Sequence, residues 1–244
     1  FDIEGIDAAH KLTIMSAIAF GIPMQFDKAY TEGISKLTRE DILYAGELGY
    51  RIKLLGITRR TPEGIELRVH PTLIPQRRLI ANVEGVMNAV LVKGDAVGAT
   101  MYYGAGAGSM PTASAVVADL VDITRLHTAD PEHRVPHLAF QPDQLAGTRI
   151  LPMEEVSTSY YLRMRVKDQP GVLADITRVL ADATISIEAM VQKEPSEGEE
   201  QVDITPLTHE TREKNVNAAI ARIEGLQAVT GKVTRIRLEE LGKN

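Results

Sequence analysis

The chain has 244 residues, 44% hydrophobic and 25% charged, with a net charge of −6 and no cysteine. This is the make-up of one large or two ordinary globular domains. The acidic balance, with a pI near 5.6, argues against a nucleic-acid partner, which wants a basic surface; the missing thiols exclude disulfides and thiolate metal sites and fit a reducing, cytoplasmic setting.

From Leu12 to Ile22 only Thr13 and Ser16 are polar. The run is shorter than the about 20 residues that span a bilayer, so no membrane partner is expected, and a helix this apolar on nearly every side is expected to be buried. Asp7 and Lys11 precede it at a spacing that places both on one helix face. Spacing alone leaves two readings open, a solvated surface pair and a functional pair at the mouth of a buried element. The chain opens on Phe1 rather than methionine, which reads as a piece of a longer chain.

Thr38 to Gly49 reads as a helix, with Thr38 as N-cap, Asp41 as its acidic capping-box partner and Gly49 as the stop. Tyr50 to Thr58 and Ile65 to Leu73 read as a hairpin across Thr61-Pro62-Glu63-Gly64, with His70 an ordinary strand residue. A second hairpin, Gly85 to Lys93 and Ala96 to Tyr103, turns at Gly94-Asp95. It runs into Gly104-Ala105-Gly106-Ala107-Gly108 and a helix spaced by Val116, Val117, Leu120 and Ile123 over Ala113 to Arg125. Such a loop lets backbone amides approach a ligand and the helix start favours anions. The third glycine comes one residue early for the dinucleotide fingerprint, however, and a merely structural turn stays open. Residues 126–152 lose periodicity and gather prolines, as in an extended linker or strap. His127, His133 and His137 lie there without a metal-binding framework, so no metal site is assigned.

Tyr160 to Lys167 alternates apolar and charged residues, the pattern of a strand with one buried face. Asp168-Gln169-Pro170-Gly171 turns into a helix with Val172, Leu173, Ile176, Val179 and Leu180 at the 3.6-residue period. Strands at Ile185 to Val191 and Gln201 to Thr205 follow, separated by the acidic stretch Glu194 to Glu200; then come a helix from Thr211 to Glu224 and a strand from Lys232 to Leu238. Strand, helix, strand, strand, helix, strand is the ferredoxin-like order. The fold class is therefore α+β: a mixed-sheet domain with hairpins and helices over residues 1–145, a linker at 146–157, and a βαββαβ domain over 158–244.

Two of these patterns resemble known families. Asp2, Ile3, Gly5, Asp7 and Lys11 fit the order Asp, aliphatic, any residue, Gly, any residue, Asp, three residues, Lys, which resembles the signature of homoserine dehydrogenases. The resemblance implies reversible oxidation of L-homoserine to L-aspartate 4-semialdehyde with NAD or NADP, with 1–145 a catalytic and dimerisation domain. Asp2 and Asp7 would hold the substrate ammonium and Lys11 would exchange the hydroxyl proton. Members carry a Gly-Ala-Gly-Ala-Gly loop at the equivalent place, which puts Gly108, then Gly106, against the cofactor. The family's Rossmann domain, a further glutamate, a second lysine and a monovalent-cation site match no residues here.

The turn Asp168-Gln169-Pro170-Gly171-Val172-Leu173 and the strand from Ile185 to Val191 resemble an ACT domain, the regulatory module that binds amino acids between paired copies. That resemblance implies an effector, threonine in this pathway, near Asp168, Gly171, Val172, Leu173 and Ile185, and a homodimer or homotetramer. A non-catalytic amino-acid-binding and oligomerisation module is the alternative. Threonine titration, with and without cofactor, separates the two.

Overall fold

The computed structural model describes residues 1–127, 130, 136, 138–192 and 200–242. His133, His137 and most of the acidic stretch from Glu194 lie outside them. Two compact units emerge, one formed by residues 1–75 with 145–244 and the other by residues 76–144.

In the first unit, helix α1 (Ile6–Phe20) runs between two left-handed glycines, Gly5 at φ 77° and Gly21 at φ 62°. Ala9, Leu12, Thr13, Ser16 and Ala17 form its buried side, and Ala9 and Leu12 pack with Ile65, Leu67 and Val69 in one apolar cluster. The opposite side, with Ile14, Met15 and Ile18, is exposed. The expectation of a helix buried all round is therefore not met within this chain: one sheet takes one side of the helix, and none of the described residues covers the other.

Strand β1 (Tyr30–Thr31) follows, then α2 (Arg39–Glu47), β2 (Tyr50–Thr61) and β3 (Gly64–Pro75). The start of α2 is the expected capping box: the Asp41 carboxylate accepts from the Thr38 amide at 3.0 Å, and the Thr38 hydroxyl accepts from the Asp41 amide. β2 and β3 pair antiparallel along their whole lengths, Tyr50 opposite Pro75 and Thr61 opposite Gly64.

Every residue of β3 is buried, because both of its edges are used. β2 takes one edge, and the other is shared by three segments in succession. Ile150 bridges Ile65, β1 pairs with Arg68 and Val69, and the last strand of the chain pairs in parallel with Thr72 and Leu73. The segment at 146–157 thus packs as part of the structure: Ala146 donates to Gly21 O at 2.7 Å, and Ile150 and Val156 are buried.

The C-terminal portion builds a four-stranded antiparallel sheet from β6 (Ser157–Lys167), β7 (Ile187–Gln192), β8 (Gln201–Thr208) and β10 (Val229–Leu238), after a two-residue β9 (Thr211–Arg212). Its spatial order is β10-β6-β8-β7. Helices α4 (Val172–Asp182) and α5 (Glu213–Glu224) pack on it through Ile176, Leu180, Val216, Ala219 and Ile223. This is the expected ferredoxin-like arrangement. β8 runs three residues past the expected Thr205 because Pro206, opposite Met190, still fits the ladder, and α5 starts at Glu213 because Thr211 and Arg212 pair with β6. Through β3 and β10 this sheet continues into that of the N-terminal portion.

The second unit holds the hairpin β4 (Met87–Gly94) and β5 (Gly98–Ala105) and the helix α3 (Ser109–His127). The hairpin closes between Gly94 and Gly98. α3 starts at Ser109 rather than at Ala113, since the Thr112 amide already donates to Gly108 O at 3.1 Å.

Candidate functional site

Asp2 to Gly5 form a turn closed by the Gly5 amide donating to Asp2 O at 3.0 Å. Gly5 then takes the left-handed conformation that only glycine adopts cheaply, and a Cβ there would lie 2.9 Å from Val69 Cγ1 and 3.4 Å from Thr31 Cγ2. The backbone is seated on β3 and β1 at the point where it enters α1. One turn into the helix, the Lys11 ammonium contacts the Asp7 carboxylate. Both side chains are largely open to solvent, where such a pair contributes at most about 1 kcal/mol.

The structure thus brings Asp2, Asp7 and Lys11 onto one short turn-and-helix segment. Beside them His10 packs edge-on against Phe1 and Phe26, with ring centroids 5.8 and 4.2 Å away.

The segment after β1 forms the bed of this site. The Glu32 amide donates to Val69 O at 2.8 Å and the Ile34 amide to Ile3 O at 2.8 Å. A Cβ on Gly33 would lie 2.6 Å from both Ile3 O and Glu4 Cα, so only a glycine lets the two segments touch. Underneath runs a buried charge network. Arg237 of β10 donates to Glu213 through Nε at 2.7 Å, to Glu32 through Nη1 at 2.8 Å and to the Tyr30 hydroxyl at 3.0 Å. Burial alone would raise the Glu32 pKa, but Arg237, with the Tyr30 hydrogen bond and Arg235, outweighs it and holds the carboxyl below its ordinary value.

On β3, Arg68 bonds Glu66, His70 Nε2 and Glu239. A guanidinium only donates, so His70 Nε2 accepts and its proton sits on Nδ1, 3.1 Å from Pro71 O. Burial, followed by Arg237 and Arg68, holds His70 well below the usual histidine range. The reading of His70 as an ordinary strand residue does not anticipate this enclosure, and neither does the alternation of charge in β3 or β10. The partners Glu239, Glu213 and Glu32 are remote in sequence from the arginines they hold, so no local pattern marks them.

In the second unit, the glycine loop leads from β5 into α3 as expected. Among the described residues, a Cβ on Gly104 meets nothing within 4 Å, and one on Gly108, at φ 123°, has only the Pro111 ring nearby at 3.4 Å. Gly106 differs: a Cβ would lie 2.1 Å from Asn88 Nδ2, so its lack of a side chain makes room for a neighbour.

At the C-terminal turn, Gly171 caps α4 at φ 94°. Lys167, Gln169, Pro170, Val172 and Asp175, with the stretch Leu226 to Ala228, line a cleft of about 400 Å³. Val172 is the only one of the five residues expected at an effector site that lines it. Asp168, Gly171 and Leu173 are exposed beside it, and Ile185 is packed into the core of the C-terminal sheet. Among the described residues no group of three or more His, Asp or Glu gathers as metal ligands, and no helix is long and apolar enough to cross a membrane.

Comparison with known proteins gives matches along nearly the whole chain. Residues 1–121 match the family described as homoserine dehydrogenase and residues 160–226 the ACT domain. Curated relatives named homoserine dehydrogenase include those of Pseudomonas aeruginosa, 63% identical over 99% of this chain and 56% of the relative, and of Neisseria gonorrhoeae, 61% identical over 99% and 55%. Among solved structures, a homoserine dehydrogenase from Thiobacillus denitrificans is 80% identical with a TM-score of 0.93, covering 99% of this chain and 55% of that one. The Staphylococcus aureus enzyme is 28% identical with a TM-score of 0.66, covering 98% and 54%. The chain spans about half the length of the relatives it matches.

Proposed function

Because residues 1–121 of this chain belong to the homoserine dehydrogenase family and residues 160–226 to the ACT domains, we propose that it supplies the substrate-binding and regulatory portions of a homoserine dehydrogenase. The reaction interconverts L-homoserine and L-aspartate 4-semialdehyde. The contact of Lys11 with Asp7 on the first turns of α1, directly after the glycine-seated turn that carries Asp2, supports this reading most.

Lys11 is the proton carrier. In the reducing direction its ammonium donates to the aldehyde oxygen while that carbon receives hydride; in the oxidising direction its amine takes the hydroxyl proton. Asp7 orients Lys11 and shares with Asp2 the substrate ammonium, by charge-assisted hydrogen bonds.

The glycine loop fits NAD or NADP: the open space at Gly104 and Gly108 and the backbone donors opening α3 suit close approach of a flat or anionic group. When bound, the nicotinamide supplies the hydride acceptor or donor. Gly108 is the contact we assign, with Gly106 acting behind it.

In the ACT domain, threonine would bind at the turn from Asp168 to Leu173, in a homodimer or homotetramer in the cytoplasm. Calorimetric titration of threonine and homoserine, with and without cofactor, tests this. Threonine binding lost on Gly171→Val supports the regulatory site. In the enzyme that contains this chain, Lys11→Ala is expected to lower kcat by about 10²–10⁴-fold, the usual range for general acid–base groups, with little change in homoserine affinity. Unchanged turnover removes the assignment.

A further inference from the structure

We propose that Arg237, the penultimate residue of the last strand, is a positioning residue for the substrate segment, holding the turn that carries Asp2 through Glu32 and Tyr30. The proposal deepens the homoserine reading and rests on it.

Arg237 is 1% exposed, and its guanidinium is divided among three residues, Glu213, Glu32 and Tyr30. One edge is bidentate to Glu213 on α5 of the C-terminal portion. The remaining donors reach across to Glu32 Oε2 at 2.8 Å and Tyr30 Oη at 3.0 Å, and the Tyr30 hydroxyl donates back to Glu32 at 2.7 Å. The guanidinium carbon also sits 4.9 Å from the Tyr30 ring centroid. An arginine fixed on one side by a buried carboxylate has little freedom left on the other, so it imposes a place on Glu32.

From Glu32 the path to Asp2 is a series of direct contacts. The Glu32 amide is bound to Val69 O at 2.8 Å and the Ile34 amide to Ile3 O at 2.8 Å; Gly33 lies against Ile3 and Glu4, and Gly5 against Thr31 and Val69. The turn from Asp2 to Gly5 therefore rests on residues 31–34, which rest on β3 and on Arg237. The same Gly5 caps the helix bearing Asp7 and Lys11. A shift of residues 30–34 moves Asp2 relative to Lys11, and misplacement of binding groups by about 1 Å is enough to weaken a site severely.

Glu32→Ala removes the carboxylate arm of this link and leaves the Tyr30 contact and the Arg237 to Glu213 pair in place, whereas Arg237→Met takes from buried Glu213 its bidentate partner, leaving it Arg235 and the Tyr160 hydroxyl, and risks unfolding. Amide hydrogen exchange on this chain is the first measurement. Glu32→Ala is expected to speed exchange at Gly5 and Ile34 by about tenfold, leaving β6 and β8 amides at wild-type rates, as in a local opening. Glu213→Gln, whose amide oxygen still accepts from Arg237, leaves Gly5 and Ile34 as they were.

In the enzyme that contains the chain, Glu32→Ala is expected to raise the KM for homoserine about fivefold or more at nearly constant kcat, the mark of lost ground-state binding. Arg237→Lys recovers most of what Arg237→Met loses. Unchanged exchange at Gly5 and Ile34 in Glu32→Ala overturns the proposal, as does exchange raised equally throughout. A loss of kcat at constant KM also overturns it. The exchange measurement needs no dehydrogenase activity, so failure of the homoserine reading is recognised separately.

Discussion

Replacing Asp41 with alanine removes a helix cap and a tie between distant parts of the chain in one step. The carboxylate is fully buried. It accepts from the Thr38 amide at 3.0 Å and from Arg163 Nε on β6 at 2.6 Å. Loss of a capping group costs about 1 kcal/mol, and loss of a hydrogen bond to a charged group about 1.5–3 kcal/mol. The expected destabilisation is about 2.5–4 kcal/mol.

With a urea m-value of about 2–3 kcal/mol/M, the midpoint followed by circular dichroism should fall by about 1–2 M at pH 7. Asp41→Asn keeps one oxygen for the cap, but its Nδ2 donates and cannot accept from Arg163, so its fall should be smaller than that of Asp41→Ala by only the capping contribution of about 1 kcal/mol. The pH dependence has a definite sign. Burial pushes the Asp41 carboxyl up, but the Arg163 hydrogen bond and the Thr38 amide outweigh it and leave its pKa below the ordinary value. Its contribution is then full above the unfolded value near pH 4 and disappears as pH falls through the folded one. The difference between wild type and Asp41→Asn should shrink below about pH 4. A midpoint change under about 0.3 M for Asp41→Ala, on the same m-value scale, would refute the reasoning.

Other expectations follow from single positions. Lys11→Ala should leave the unfolding midpoint within about 0.5 kcal/mol of wild type, because its ion pair is exposed, while abolishing most turnover; equal losses in both assays would count against a catalytic lysine. Gly5→Ala meets both a positive φ and a 2.9 Å approach to Val69, so a loss of about 1–3 kcal/mol is expected in thermal melts, with weaker homoserine binding. His70 is held neutral by burial and then by Arg237 and Arg68. Its folded pKa is below the unfolded value, so folding is penalised as pH falls below about 6.5, by at most about 1.4 kcal/mol per pH unit. His70→Gln should flatten the stability profile between about pH 6.5 and 5, and a profile parallel to wild type would contradict this.

What could be read along the chain was local. Thr38, Asp41 and Gly49 mark a helix because capping is a matter of three or four neighbouring residues, and the alternation from Tyr160 to Val166 identifies β6 because a half-buried strand has a period of two. The spacing of Asp7 and Lys11 foretold their contact for the same reason. The two residues of β1 escaped notice, since a bridge that short exists only because β3 offers an edge to it. Nothing local marks Arg68 and Arg237 as buried, because carboxylates that enclose them, Glu239, Glu213 and Glu32, arrive from distant parts of the chain. The bed beneath Asp2 was illegible too, as its glycines are constrained by segments about 30 or more residues away in the chain, beyond any helical or strand period.

The parallel join of β3 to β10 also constrains how the molecule comes into being. A chain made from its N-terminus completes β3 early, yet the edge at Thr72 and Leu73 has no strand to bond until Arg237 and Leu238 have been synthesised. Until then a strand with apolar residues on one face and a charge network on the other stands half paired, the condition in which edges recruit other chains. Removing the C-terminal portion would make that interval permanent, and it would strand Arg68 without Glu239. An ACT domain joined in this way is structurally part of the sheet beneath the N-terminal segment, and a truncation that removes it is expected to yield aggregates.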